Sequence, residues 1–353
     1  MPRSRWPITL WIACLVGIIG FWDRAQGEDW PKWRGPRADG TWKAPPIANK
    51  FPENGISPRW RKKIGAGYAG IVVAEGRCYT MDRPKPTEKG KTPDGTERVL
   101  CFDATTGEQL WAHEYDATYG DLDYGNGPRA APTVHEGKVY TLGAVGMVCC
   151  LDAGSGAVLW TKDTVKECNA KVPTWGFAGS PLVVDDLVIV HVGAEPNGSL
   201  IAFHLSDGKE AWRSIPDPAG YCTPILIDAP SGRQLVIWTP LNIRAVDPKT
   251  GEILWTVPYE VTYGVSIATP IFQNGILFVS GYWEGSKAIK LGSRPTDAEL
   301  AWTENRNLRG LMAPPLFRDG LVFLLDKQHG LTCFDLNTSE KRWDDGNRMT
   351  PRA

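Results

Sequence analysis

The sequence predicts an all-β fold built from repeated four-stranded antiparallel sheets, and three observations carry that expectation. Glycine (38) and proline (28) punctuate the 353 residues while helical periodicities are few, the pattern of short strands joined by tight turns. The tryptophan of one repeating unit returns at intervals of 41 to 52 residues. Each unit offers four short apolar runs and no helical stretch, and a repeat of that period made of four strands reads as one blade of a propeller.

Residues 1–27 come first and read as an export signal. Arg3 and Arg5 make a basic start, Trp6 to Trp22 is uncharged and mostly apolar, and Ala25-Gln26-Gly27 supplies small residues for cleavage before Glu28. An uncleaved anchor and a lipidated Cys14 are the alternatives. Residues 28–58 form an N-terminal leader containing "DWPKWRGPRADG". The propeller is expected over 59–343 and a tail over 344–353.

Within 59–343 five segments are variants of one unit: "CFDATTGEQLW" (101–111), "CLDAGSGAVLW" (150–160), "FHLSDGKEAW" (203–212), "VDPKTGEILW" (246–255) and "FDLNTSEKRW" (334–343). In each, Trp stands eight positions after the residue that opens the turn. A sixth copy with a longer turn ends at Trp302, and Trp60 precedes the first full unit. Asp accepts backbone hydrogen bonds in an Asx turn, and Gly takes the positive φ that closes the hairpin. Trp60, Trp111, Trp160, Trp212, Trp255, Trp302 and Trp343 are therefore expected on outermost strands. There each ring covers the neighbouring blade and its N–H finds a backbone acceptor.

Each unit also opens on a strand led by a small residue and Pro, as in "AAPTV" (130–134) and "GSPLVV" (179–184). The vicinal pair Cys149–Cys150 fits the repeat. The slot two residues before the turn holds Cys101, Cys150, Ala202, Ala245 and Cys333, so it reads as a packed site for a small side chain. Cys149 must point to the opposite sheet face.

The D-x-x-[TS]-G-x-x-x-W unit resembles the tryptophan-docking repeat of pyrroloquinoline-quinone (PQQ) propellers. That group includes quinoprotein alcohol dehydrogenases and the BamB-type lipoprotein of the outer-membrane β-barrel assembly machine. The leader, "GPRAAPTV" and "VPTWGFAGSPLV" resemble most closely the exported PQQ-binding-like β-propeller repeat proteins. The resemblance, from Trp60 to Trp343, implies the propeller fold; it leaves chemistry open, because many members bind no quinone. Seven Trp-bearing segments face six sets of inner strands. Six complete blades are expected, plus an orphan N-terminal outer strand at Trp60 belonging to a truncated last blade of a seven- or eight-blade type. Its unpaired edges would suit a strand-donating partner.

A formal charge of −1 gives no electrostatic case for nucleic acid or an anionic membrane. A quinone enzyme would need PQQ with a divalent cation such as calcium, held by carboxylate and amide oxygens, and an Asp base. The best acidic cluster (Asp116, Asp121, Asp123, Asn126) fails the calcium-loop template, with Gly125 and Pro132 at ligand positions, and reads as a solvated loop. The five histidines are scattered. No catalytic or metal residue is assigned. If a ligand binds, the segments before each innermost strand converge on the channel mouth, bringing Tyr124, Arg129, Trp175, Tyr221, Tyr263 and Arg309, which could stack on and clamp a planar anion. The alternative is that these are rim and packing residues. The loop 83–98 is expected to be an exposed excursion. The function expected is a non-catalytic binding platform for protein partners at the cell envelope. The competitors are a PQQ-dependent alcohol dehydrogenase and a glycan-binding or sensing module.

Overall fold

The computed structural model describes residues 27–46, 49–84, 94–120, 122–123 and 125–346. The signal segment up to Gln26, most of the 83–98 loop, Asp121, Tyr124 and the tail beyond Gly346 lie outside the described residues. Six four-stranded antiparallel sheets follow one another, each ordered as its strands occur in the chain. Blade 1 contains β1 (Val72–Ala74), β2 (Arg77–Asp82), β3 (Thr96–Asp103) and β4 (Gln109–Asp116). Blade 2 contains β5 (Thr133–His135), β6 (Lys138–Leu142), β7 (Met147–Asp152) and β8 (Val158–Asp163). A single helical turn, α1 (Thr164–Cys168), leads to blade 3 with β9 (Leu182–Val184), β10 (Leu187–Ala194), β11 (Gly198–His204) and β12 (Glu210–Ser214). Blade 4 has β13 (Ile225–Ala229), β14 (Gly232–Trp238), β15 (Asn242–Val246) and β16 (Ile253–Pro258). Blade 5 has β17 (Ile271–Gln273), β18 (Ile276–Gly281), β19 (Gly285–Leu291) and β20 (Ala298–Glu304). Blade 6 has β21 (Leu316–Arg318), β22 (Leu321–Asp326), β23 (Gly330–Asp335) and β24 (Lys341–Asp344).

This order sorts the connections onto two faces. The segments leading to each innermost strand and the second-to-third-strand loops share a mouth face. The first-to-second and third-to-fourth turns share the opposite, turn face. The turn face is polar, with Glu75-Gly76, Glu136-Gly137, Asp185-Asp186, Asn274-Gly275 and Asp319-Gly320 at its inner rim.

One local device recurs in all six blades. The third and fourth strands pair until a bulge just before the tryptophan, so that Trp111, Trp160, Trp212, Trp255, Trp302 and Trp343 lie opposite Cys101, Cys150, Ala202, Ala245, Ala288 and Cys333. The bulge twists the edge strand, and a small residue across from the indole leaves room for the ring. This is the physical content of the Cys/Ala slot. Cys149 and Cys150 fall in different cores. Cys149 lies with Val72, Tyr79 and Trp111, and Cys150 with Tyr140, Trp160 and Phe203. Both are free thiols, pushed up by burial to about 12 and about 11.

The indoles bridge blades with differing completeness. Trp111 donates to Ala153 O (3.1 Å), Trp160 to Leu205 O (3.1 Å) and Trp302 to Leu336 O (2.9 Å), each in the turn of the next blade. The ring of Trp111 lies over Gly156 and that of Trp160 over Gly208, both at positive φ, where a Cβ would stand 2.6 to 2.7 Å from the indole. Three tryptophans depart from the expected backbone acceptor. Trp255 donates to Gln234 Oε1 (2.8 Å) of its own blade, because the next blade carries the longer turn. Trp212 packs on Gly251, yet its N–H finds no partner. Trp343 is 45% exposed and touches Phe323 of its own blade. Among the described residues no strand forms around Trp60; its indole still seats over Gly107 and donates to Ala104 O (3.0 Å).

Candidate functional site: the channel and its mouth

The innermost strands surround a central channel, and the leader enters it. Trp30 exchanges two backbone hydrogen bonds with Val73 of β1 (2.8 and 2.9 Å), and Val134 N of β5 donates to Pro31 O (2.7 Å). Trp33 Nε1 then donates to Thr269 Oγ1 (2.9 Å), ahead of β17. Arg34, only 7% exposed, donates to Pro315 O (3.0 Å) ahead of β21 and to Ala38 O and Asp39 O of its own segment. Gly35 (φ +80) and Gly40 (φ +80) turn the chain beneath the Trp30 ring and against Leu316, where a Cβ would stand 2.7 and 2.8 Å from those side chains. Sequence reading singled out this segment without placing it in the channel. Its density of Trp, Arg, Gly and Pro was the available signal.

The two ends of the leader meet on the turn face. Glu28 N donates to Lys43 O, Trp42 Nε1 to Glu28 O, and the Arg37 guanidinium grips both Glu28 oxygens (2.9 and 2.6 Å). The Arg37 bond, helped by the Lys43 N–H, holds Glu28 down at about 2. Beside the returning arm a crevice of about 250 Å³ remains, lined by Arg37, Ala38 and Asp39 and by β13, β17 and Phe317.

At the mouth, the residues singled out from sequence separate into groups. Trp175 and Tyr221 pack together with ring centroids 5.3 Å apart, and Arg129 lies close enough to act electrostatically on the Tyr221 hydroxyl. Arg129 is not free to clamp an anion: its guanidinium donates to Gly127 O, Asp123 O and Gly125 O, folding its own loop, and lies 5.8 Å from the Tyr68 ring. Tyr263 stands apart, 78% exposed, edge-on to Trp283 at 5.6 Å. Arg309 donates from Nε to Asn305 O and from its backbone to Asp326. Tyr124 lies outside the described residues.

Buried polar groups fasten the mouth segments to the blades. Glu97 of β3, 0% exposed, accepts from Tyr115 Oη (2.5 Å), Ala144 N (3.0 Å) and the Tyr119 hydroxyl. Arg83 lies 3.8 Å from the Tyr119 ring. Asp217 accepts from Arg244, Asn242 and Thr239. Burial alone would raise the Asp217 carboxyl, and these hydrogen bonds outweigh burial and hold it below the ordinary range. No sequence motif announced these acids.

His191 of β10 is a third fastener. Its Nε2 accepts from Gly220 N (3.2 Å), and Nδ1 lies 3.4 Å from Cys222 O, holding the stretch that carries Tyr221. Burial pushes the imidazole down to about 4. The unfolded chain therefore binds the extra proton first, so its contribution is intact above the unfolded value near 6.5 and is lost as pH falls toward 4. A full loss of about 3 kcal/mol follows from that interval. His191→Gln should flatten the fall in melting temperature between pH 7 and pH 4.5; equal slopes in both proteins would refute the assignment.

Among the described residues, the acids singled out from sequence do not come together as a cation site beside a quinone would need. Among the described residues no group of three or more His, Cys, Asp or Glu is placed to hold a metal ion. Asp116, Asp123 and Asn126 are exposed, and Trp33 and Arg34 of the leader occupy the channel. Nor, among the described residues, is any helix long and apolar enough to cross a membrane.

Comparison with known proteins agrees with this architecture. A family model described as outer membrane protein assembly factor BamB matches residues 95–345. The BamB of Moranella endobia is 24% identical over 324 residues, covering 85% of this chain and 74% of its own. The quinohemoprotein alcohol dehydrogenase ADH IIB of Pseudomonas putida is 27% identical over 251 residues, covering 64% of this chain but 31% of its own. The solved BamB of Moraxella catarrhalis superposes with a TM-score of 0.54 at 15% identity, over 80% of this chain and 74% of its own. At that identity the likeness concerns the fold.

Proposed function

The chain belongs to the family of outer membrane protein assembly factor BamB, and from that premise we propose that it is a non-catalytic platform which binds protein partners at the cell envelope. The exposed apolar side chains of the mouth face carry the reading. Tyr68, Val172, Leu241, Tyr263 and Met312, from five blades, are each more than a third exposed on the mouth face, while the inner rim of the turn face is mostly acidic, with Trp42 of the leader exposed beside it. Apolar side chains gathered on one face of a rigid scaffold mark a surface for a macromolecular partner. The blades and their buried fasteners hold those loops in place, so little ordering is left to be done on binding. Export through residues 1–27 would deliver the chain to the envelope, and Trp111, Trp160, Trp212 and Trp302 serve as clasps between blades. A strand-donating partner at Trp60 remains part of this reading only as an extension.

The quinoprotein dehydrogenase reading has relatives in its favour and the channel against it. A photo-crosslinking residue at position 263 is expected to give discrete adducts with envelope assembly proteins, identified by mass spectrometry, while the same residue at 185 on the turn face gives none. With the crosslinker kept at 263, Leu241→Asp with Met312→Asp should abolish the adducts without lowering the melting temperature. Equal capture from both faces would sink the proposal. So would a rise of several degrees in melting temperature with PQQ and calcium.

A further inference from the structure

We infer that the central channel is a peptide-binding site, and that the loop Glu28–Lys43 is its ligand, held in cis. Three observations lead there. The loop is closed on itself by Glu28, Arg37, Trp42 and Lys43, so it is a self-contained unit in the manner of compact surface loops whose ends meet. Its tip uses the means by which receptors read peptides. Backbone pairing at Trp30 adds a strand to an exposed innermost edge, and the Trp33 indole and Arg34 guanidinium seek a hydroxyl and a carbonyl on two other blades.

The third observation is the tether. Between the loop and Trp60 the described residues are exposed almost without break, and among them Gly55 N bonds internally to Pro52 O. A segment docked in the channel and joined by a stretch whose described residues are exposed is a ligand kept at high effective concentration. The unfilled crevice beside Ala38, against the innermost edges of β13 and β17, is where a bulkier ligand would gain contacts that this loop does not make.

Peptide recognition here means a loop of the form Trp-Arg-Gly-Pro with its closing Asp-Gly, read by carbonyl and hydroxyl acceptors around the channel. The test inserts a specific protease site at Glu53–Gly55 of the full chain. After cleavage the leader fragment should co-elute with the propeller on size exclusion, and a fluorescent synthetic peptide of residues 28–43 should displace it saturably. The same peptide carrying Arg34→Ala should bind about tenfold more weakly, as loss of one buried charged hydrogen bond requires. In the uncut chain, hydrogen exchange at Trp30 and Gly40 should proceed through one shared local opening, well before the amides of β10. The inference is overturned if cleavage releases the fragment with the melting temperature unchanged, or unfolds the protein outright. It is overturned equally if Arg34→Ala leaves peptide affinity intact, or if the leader amides exchange only with global unfolding.

Discussion

Replacing Trp160 with alanine is expected to destabilise the protein by about 3–5 kcal/mol, the usual cost of deleting a buried aromatic ring, while the same change at Trp343 costs under about 1 kcal/mol. The two residues occupy equivalent repeat positions, each opposite a cysteine across the outer pair of strands. Their surroundings differ. Trp160 is 8% exposed, lies over Gly208 of the next blade, reaches Leu205 O and meets Tyr140 and Phe203 at 6.1 and 6.5 Å. Trp343 is 45% exposed, and among the described residues its ring meets Phe323 of its own blade. Trp160→Phe keeps much of the packing and removes the N–H, so it should cost roughly 1–2 kcal/mol, the hydrogen bond accounting for about 1 of that. Denaturant titration of the three variants decides the matter. If Trp343→Ala proved as damaging as Trp160→Ala, the indoles would stabilise their own sheets and not the contact between blades.

That pair of residues also marks how far sequence reaches. The repeat was legible because one local problem, seating an indole over a glycine turn, recurs with one local solution, and the small residue at the Cys/Ala slot belongs to it. The docking of Trp33 and Arg34 was not legible, since their acceptors Thr269 and Pro315 lie 236 and 281 residues away and occur outside any repeating spacing. The grouping of the mouth residues was not legible for a related reason. Topology puts Arg129, Trp175, Tyr221, Tyr263 and Arg309 on one face, but the lateral course of each loop decides which of them meet. Arg129 turned inward onto three carbonyls of its own loop, and periodicity cannot express that choice. The Trp60 segment shows the converse: its indole follows the repeat although the strand does not form, so side-chain docking tolerates the loss of backbone pairing there.

Glu97 gives the second large effect. Glu97→Ala should cost about 3–5 kcal/mol, because a buried carboxylate that satisfies several donors leaves all of them unpaired when removed. Two tyrosine hydroxyls and the Ala144 N–H converge on it, and Gly143 packs so closely that any Cβ would collide with the carboxylate. Burial first, and the neighbouring carboxylate second, raise both Tyr115 and Tyr119 far above the ordinary phenol value, so the pair stays protonated and donates throughout the working range. Glu97→Gln keeps an acceptor in place and should cost less, about 1–2 kcal/mol. The combination Glu97→Leu, Tyr115→Phe and Tyr119→Phe removes donors together with acceptor and should recover much of the loss. Tyr119 also receives Arg83 over its ring, while its backbone N–H and that of Gly120 bond to Asp94. Loosening Tyr119 therefore frees the segment that carries Arg129, and faster hydrogen exchange at Tyr119 and Gly120 should accompany the fall in stability. A Glu97→Ala protein within about 1 kcal/mol of the parent, or one in which Gln is as costly as Ala, would mean that water already satisfies these hydroxyls and that the mouth loop is held by Asp94 alone.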